Sequence, residues 1–321
     1  MKKTTKTLFG IGGAFCLIGI LLFGIGFASG GTTYVHATNL NSMNAQSEKN
    51  SKENRFKLEK TELSDFDSLD VNLKDSDLNI KESPNEKSYI EYVQKTKKTN
   101  NPLSCSIKNN TLTLKDNGNS GASYHVSVDI SFLQAVLNGK NPDNYTEEKS
   151  DYTNYVTLYL PRNKLLSSAK INLNYGDLLL KNAAFHTTDI KLADGDLTAD
   201  TFTAGSGNII LSYGDCSLEH SSLGNIKMTS DDGDISADNL TLTGNAAISL
   251  SYGDASFTLT DSTKEKTGYD LSTDYGAIHT SGIIGNKTSK DDGDMNEFQA
   301  DSKDGKTNLI VNSDDGDIII K

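Results

Sequence analysis

The sequence predicts an all-β fold, a single-domain parallel β-solenoid (β-helix-like) with ~19-residue repeats, preceded by one N-terminal transmembrane helix. Three observations predict it. The first is a glycine-aspartate pair that recurs as Tyr175-Gly176-Asp177, Asp194-Gly195-Asp196, Tyr213-Gly214-Asp215, Asp232-Gly233-Asp234 and Tyr252-Gly253-Asp254. Its glycines advance by 19, 19, 19 and 20 residues, and self-similarity at a fixed period of this size marks stacked repeats. The second is phase. Positions −5 and −3 from glycine are Ile171 and Leu173, Ile190 and Leu192, Ile209 and Leu211, and Ile248 and Leu250. Positions +2 and +4 are Leu178 and Leu180, Leu197 and Ala199, Cys216 and Leu218, Ile235 and Ala237, and Ala255 and Phe257. Alternation at period two reads as strand on both sides. The phase shifts across Gly-Asp, so that pair is a corner at backbone angles glycine permits. The third is an uncharged, mostly apolar run of 21 residues, Leu8 to Ala28, close to the roughly 20 that cross a bilayer as a helix.

Residues 1–31 read as a lysine-rich cytoplasmic tip followed by that helix. Lys2, Lys3 and Lys6 precede it and the next lysine is Lys49. The positive-inside rule then keeps the N-terminus in the cytoplasm and sends the rest of the chain outward, a single-pass protein of the cell membrane with an extracytoplasmic C-terminal domain. The alternative is secretion after cleavage near Ala37, because Val35-His36-Ala37 resembles a signal cleavage site. The apolar run exceeds the ~7–15 residues usual for a signal, which favours a retained anchor. Residues 32–54, polar and lysine-bearing, read as a flexible tether. Residues 55–321 form the β-strand-repeat domain, irregular over 55–165 and regular over 166–321.

The irregular part opens with a divergent first rung. With Ser76 in the glycine slot, Val71, Leu73, Leu78 and Ile80 take the inward positions. Tyr89 to Gln94, Cys105 to Lys115 (turning at Asn109-Asn110), Tyr124 to Ile130 and Tyr155 to Leu160 read as strands, the last ended by Pro161. Phe132 to Leu137 reads as a short helix, and residues 138–151 as a polar surface loop. In the regular part, Gly207-Asn208, Gly224-Asn225 and Gly244-Asn245 are expected to close each coil with a looser turn. After Gly253 the period loosens to Tyr275-Gly276-Ala277, an insert containing Asp292-Gly293-Asp294, and a closing Asp315-Gly316-Asp317. Leu309, Val311, Ile318 and Ile320 keep phase, so this segment reads as the last rung of the stack, with an uncovered sheet end. Such an end invites pairing with a second chain, and weak self-association sensitive to Ile319→Pro is the expectation.

Charge narrows the partners. The net charge is −12, and residues 1–29 contribute only lysines, so the exported body is more acidic still. That repels nucleic acid and anionic lipid headgroups. Of three cysteines, Cys16 lies in the membrane run, Cys216 falls on an inward position and Cys105 on a strand. Whether Cys105 and Cys216 pair is not readable from spacing.

The chemistry-bearing candidates are few. Asp177, Asp196, Asp215, Asp234 and Asp254 would stack ~4.8 Å apart if one repeat is one coil. Carboxylates that close must bind cations, shift their pKa values or splay into water, which makes them candidate calcium ligands. Calcium β-rolls, however, use a nine-residue glycine-rich repeat absent here. The competing reading is that each aspartate caps the backbone of its own turn, with no metal and no cofactor. The residue before glycine alternates as Tyr175, Asp194, Tyr213, Asp232, Tyr252. Either the true period is 38 residues with two kinds of corner, or large and small residues alternate at one. A tyrosine row can stack on sugar rings, but half-buried packing is the expected role. No catalytic residues emerge. The histidines (His36, His125, His186, His220, His279) lack metal spacing, and no nucleophile elbow or phosphate loop is present.

The rungs of type Ile-x-Leu-x-Tyr-Gly-Asp, the strand Asn154-Tyr155-Val156-Thr157-Leu158-Tyr159-Leu160-Pro161 and the exported anchor together resemble a bacterial family, the DUF4097 β-strand-repeat group of adhesin-like proteins. The resemblance spans roughly residues 56–321 and implies a solenoid at the cell envelope, without catalytic residues or an assigned ligand. The expected function is therefore a membrane-anchored binding or scaffold module, adhesin-like or an envelope-stress accessory, contacting envelope glycan or protein. The alternatives are a polysaccharide-active β-helix enzyme, using paired acids, and a calcium-stabilised surface protein.

Overall fold

The computed structural model describes residues 54–96, 101–116, 154–289 and 296–321. The anchor Leu8–Ala28, most of the tether, the strand Tyr124–Ile130, the helix Phe132–Leu137 and the loop after it lie outside these residues. The described residues belong to one compact unit. Among them the helical content is a single turn, α1 (Asp261–Lys264), and no helix is long and apolar enough to cross a membrane.

Everything else regular is strand. The chain begins with β1 (Asn54–Leu63), β2 (Ser68–Asp75), β3 (Asp77–Glu82), β4 (Ser88–Thr96), β5 (Leu103–Lys108), β6 (Thr111–Asp116) and β7 (Tyr155–Leu160). The regular coils follow as pairs: β8 (Leu165–Tyr175) with β9 (Leu178–Lys181), β10 (Ala184–Leu192) with β11 (Leu197–Asp200), β12 (Thr203–Tyr213) with β13 (Cys216–Glu219), β14 (Ser222–Asp232) with β15 (Ile235–Leu242), and β16 (Asn245–Tyr252) with β17 (Ala255–Leu259). Beyond α1 come β18 (Gly268–Tyr275), β19 (Ile278–Thr280), β20 (Asn286–Ser289), β21 (Asn296–Ala300), β22 (Asn308–Asp315) and β23 (Ile318–Ile320).

The coil is one 19-residue unit. Ile190 of β10 pairs in parallel register with Ile171 on one side and Ile209 on the other, and Leu197 of β11 lies between Leu178 and Cys216. Each long strand thus stacks on its predecessor in one sheet and each short strand in a second, the Gly-Asp corner joining the two. The alternation of Tyr and Asp before glycine is therefore a pattern along one row of corners. It is not a doubled period.

Every inward position expected from the sequence is buried, including Val71, Leu73, Leu78 and Ile80 of the divergent first rung. The core also takes a third set of side chains from each coil. Seven and nine residues after glycine stand Ala183 and Phe185, Phe202 and Ala204, Ser221 and Leu223, and Leu240 and Leu242, all buried. Phe185 and Phe202 meet edge to face across neighbouring coils, centroids 5.5 Å apart.

The second corner lies elsewhere than expected. Gly207-Asn208 and Gly224-Asn225 sit inside β12 and β14, whereas Gly244-Asn245 falls at the break between β15 and β16, as expected. Inside β12 glycine is needed for close approach, since a Cβ on Gly207 would stand 1.9 Å from the Thr188 carbonyl oxygen. The chain turns instead six residues after each glycine, at Asn182, Thr201, His220 and Asn239, whose φ values are 54°, 57°, 47° and 54°. Three of the four are Asn or His, types that tolerate the left-handed region comparatively well.

The order of coils in space departs from their order in the chain. β22 pairs with β16 on one side and β18 on the other, and β23 lies between β17 and β19. The C-terminal segment is thus the penultimate rung, inserted between the coil at 245–259 and the coil at 268–280. The premise of an uncovered C-terminal strand at Ile319 is overturned, because β23 is hydrogen-bonded on both edges. The chain leaves its stack after β17 through α1, places β18 and β19 one rung further on, and returns to fill the gap. Parallel in-register pairing with aliphatic side chains inward is satisfied on both faces of the late arrival.

Both ends of the stack are closed differently from the middle. At the N-terminal end β3 pairs with β7, and β7, β4 and β1 continue antiparallel. The hairpin β5–β6 extends the other sheet beyond β2, turning at Asn109 and Asn110 with φ 49° and 58°, the left-handed pair that a tight hairpin requires. Ser76 is accepted in the glycine slot because no further Gly-Asp corner lies beyond it. Its buried hydroxyl exchanges hydrogen bonds with the buried Gln94 amide, which donates to it at 2.8 Å. At the far end β21 and β20 form an antiparallel hairpin over β18. The other sheet ends at β19, where the Lys287 ammonium donates to the Ile278 carbonyl oxygen at 2.9 Å. Lys287, reaching over from β20, sets a charge on that open edge, which discourages edge pairing.

Candidate functional site

The chemistry-bearing side chains concentrate on the corner that carries Gly-Asp. Its geometry follows from the glycine. Gly214 has φ 129°, and a Cβ there would lie 2.3 Å from the carbonyl oxygen of Gly195 in the coil below. The same near-contact recurs at Gly195, Gly233, Gly253 and Gly316. Successive corners therefore stack backbone on backbone, and the flanking residues form straight rows.

The row after glycine contains all five aspartates singled out for calcium. Each Oδ1 accepts a hydrogen bond from the backbone N–H of the aspartate one rung on. Asp196 donates to Asp177 at 2.9 Å, and Asp215 to Asp196, Asp234 to Asp215 and Asp254 to Asp234 each at 2.8 Å. The ladder runs past both ends of the regular array. Asp177 donates to Asp77 of the divergent rung, Asp317 to Asp254, and Ala277 to Asp317. The carboxylates thus cap the backbone of the neighbouring coil, not that of their own turn, and bond one coil to the next. One oxygen of each is committed to that bond. Desolvation pushes the Asp77 carboxyl above the usual carboxylate range.

The row before glycine carries a different pattern. Through space it reads Asp75, Tyr175, Asp194, Tyr213, Asp232, Tyr252, Asp315, Tyr275. The alternation is unbroken, although Asp315 comes from the C-terminal segment and Tyr275 from the coil before it in sequence. Tyrosine is expected to pack half-buried here, which Tyr175 does at 44% exposed, but Tyr213 and Tyr252 are each 62% exposed and Tyr275 is 64% exposed. The apolar interior is filled without them.

A smaller cluster lies at the second corner, where Asp200, Glu219 and His220 bring one ligand atom each within 4.8 Å of one another. His220 Nδ1 is 3.6 Å from Asp200 Oδ1. Asp200 and Glu219 are in register on adjacent rungs and His220 follows Glu219 at the surface, so the stacking of the coils accounts for their proximity. Sequence reasoning, which found no metal spacing for His220, missed this proximity because 19 residues of chain separate the neighbours.

Two titratable groups outside these rows, Cys216 and Asp304, serve the fold. Burial pushes the Cys216 thiol up to about 12, as an inward core position implies. Cys105 is exposed, and both cysteines are free thiols. Asp304 is held well below the usual carboxylate range by the N–H groups of Lys306 and Thr307 and the hydroxyls of Thr307 and Ser302, which close the turn leading into β22. A cavity of about 440 Å³ at the β19 end is lined by Ile278, His279, Lys287, Phe298 and Ile320, among others, with no carboxylate side chain.

The Toastrack family model, DUF4097, matches residues 66–321. The chain belongs to that family. No curated protein matches it. Among solved structures it is similar to a candidate cell adhesion protein of Clostridium sporogenes, at 12% identity and a TM-score of 0.35, over 84% of this chain and 99% of that one. It is likewise similar to a candidate adhesin of Bacteroides fragilis, at 12% identity and a TM-score of 0.42, over 84% and 97% of the two chains. A candidate adhesin of Parabacteroides distasonis matches at 11% identity and a TM-score of 0.27, over 83% and 96%. At these scores the likeness places no ligand on this chain.

Proposed function

We propose that this protein is a membrane-anchored, extracytoplasmic binding or scaffold module of adhesin type that carries out no catalysis. The observation that supports this reading is the disposition of its functional groups. They recur once per coil or once per two coils along an exposed corner, and repetition of one contact along an axis suits the binding of an extended partner. The lysines before Leu8–Ala28, with none following until Lys49, support export with the N-terminus held inside.

The test has two arms. Protease added to intact cells that express the full chain is expected to remove the β domain while sparing the N-terminal tip; complete protection would contradict export. The purified full chain, incubated with wall and surface glycans, is expected to bind without releasing product. Turnover abolished by changing one pair of acids would overturn the non-catalytic reading.

A further inference from the structure

We propose that the exposed row Tyr213, Tyr252 and Tyr275, with Asp232 and Asp315 between them, is a track for an extended β-1,4-linked glycan whose sugar rings carry free amines. This rests on the reading of the domain as a binding module and names the chemistry of its partner.

The tyrosines are not required by the fold. Aspartate occupies the equivalent position at Asp194, Asp232 and Asp315, on coils paired in the same parallel register. A residue that the backbone can exchange for aspartate is not there to fill the core. Yet three large rings stand more than half exposed in one line, and tyrosine is enriched where a protein surface meets a partner.

Spacing defines the partner. Tyrosines two rungs apart are separated by ~9.6 Å, twice the interstrand distance of ~4.8 Å, close to the length of one disaccharide in an extended β-1,4-linked chain. Alternate sugar rings can then lie on successive tyrosines, ring face to ring face, while the rings between them lie over Asp232 and Asp315. A polyproline-type peptide repeats at a similar ~9.3 Å, but such peptides dock into grooves between aromatic side chains. Here the rings project from a corner, with glycine on one side of each.

Charge selects among glycans. The intervening carboxylates are flanked by the exposed Asp231, Asp274 and Asp314, and by Asp215, Asp234 and Asp254 of the neighbouring ladder. This acidic belt repels uronic-acid polymers. Ammonium groups on the glycan meet it favourably, and those of every second ring fall beside Asp232 and Asp315.

The experiment measures binding of the detergent-solubilised full chain to a glucosamine hexamer, its N-acetylated counterpart and an oligogalacturonate. The expected order is glucosamine first, acetylated second and galacturonate unbound. Replacing Tyr213, Tyr252 and Tyr275 together by Ala is expected to weaken both neutral and amine-bearing hexamers by about tenfold or more. D232N with D315N should weaken only the amine-bearing one. Tyr252→Ser alone, at the centre of the row, gives the same direction should the triple variant fold poorly, and an unchanged melting curve confirms that the stack is intact. The proposal is overturned by undiminished binding in a folded tyrosine variant, by no binding to either hexamer, or by tighter binding of a lysine-proline repeat peptide. Those results would leave the binding-module reading standing, whereas cleavage of the hexamer would defeat that reading itself.

Discussion

The two corners of each coil solve one problem by opposite means. At the first, Gly214 and its equivalents reverse the chain at φ between 126° and 148° in the regular coils and the C-terminal rung, with each corner pressed against the carbonyl below. At the second, Asn182, Thr201, His220 and Asn239 turn the chain at φ between 47° and 57° with a side chain in place. Both leave the ordinary strand region. Only the first forbids a Cβ, because only there does the coil beneath occupy its volume. Glycine is thus fixed at one corner by stacking, while the other is free to vary in residue type. The consequence reaches the surface, since the corner with no room for side chains on its glycine holds its neighbours in the straightest rows.

The largest effect is expected where stacking is tightest. Gly214→Ala should destabilise the domain by about 4 kcal/mol, as a strained, overpacked site does, read as a fall in melting temperature. His220→Gly at the other corner should be tolerated; equal losses at both would break the distinction between them. Next in size is Ile319→Pro. It removes a ladder donor from a strand paired on both edges and should cost about 3 kcal/mol, unfolding the far end as seen by hydrogen exchange in residues 268–280. A variant that changes only self-association would mean β23 lies at the outside after all.

Much of this was legible in the sequence. Gly-Asp at fixed spacing gave the period, and the apolar phase gave the inward set, even in the rung where Ser76 replaces glycine. The second corner was not legible because the eye follows glycine, and the residues there are Asn, Thr and His at a constant six positions later. The placement of Asn308–Ile320 was hidden for a deeper reason. Its aliphatic pattern matches the coil at 268–280 equally well, so periodicity cannot say which of the two stacks first. One signal did distinguish them. Tyr252 and Tyr275 are successive corners in the chain and break the Tyr-Asp alternation, which a rung bearing Asp315 restores when placed between them. The exposure of the tyrosines was also unreadable, since a residue beside a corner can point either way.

Smaller effects sharpen the contrast between corners. Thr201 is a β-branched residue at φ 57°, so Thr201→Asn should stabilise by about 1 kcal/mol by relieving left-handed strain. No gain, or a loss, would show that its hydroxyl bond to Asp200 at 3.0 Å outweighs the strain. Asp215→Ala removes the acceptor for the Asp234 N–H and should cost about 1 kcal/mol. Asp215→Asn keeps an acceptor oxygen and should cost less; an equal loss would show that charge, not the rung-to-rung hydrogen bond, is what the aspartate supplies.

The most direct test of the stacking order is a disulfide scan at outward positions of three coils. Asn312 is in register with Ser249 on one side and Ser272 on the other, at the ~4.8 Å spacing that suits a disulfide. Cysteines introduced at 249 and 312, and separately at 272 and 312, should both cross-link readily, whereas the pair at 249 and 272, two rungs apart, should not. Efficient cross-linking of 249 with 272, and failure of 249 with 312, would put the coils in chain order and contradict the account.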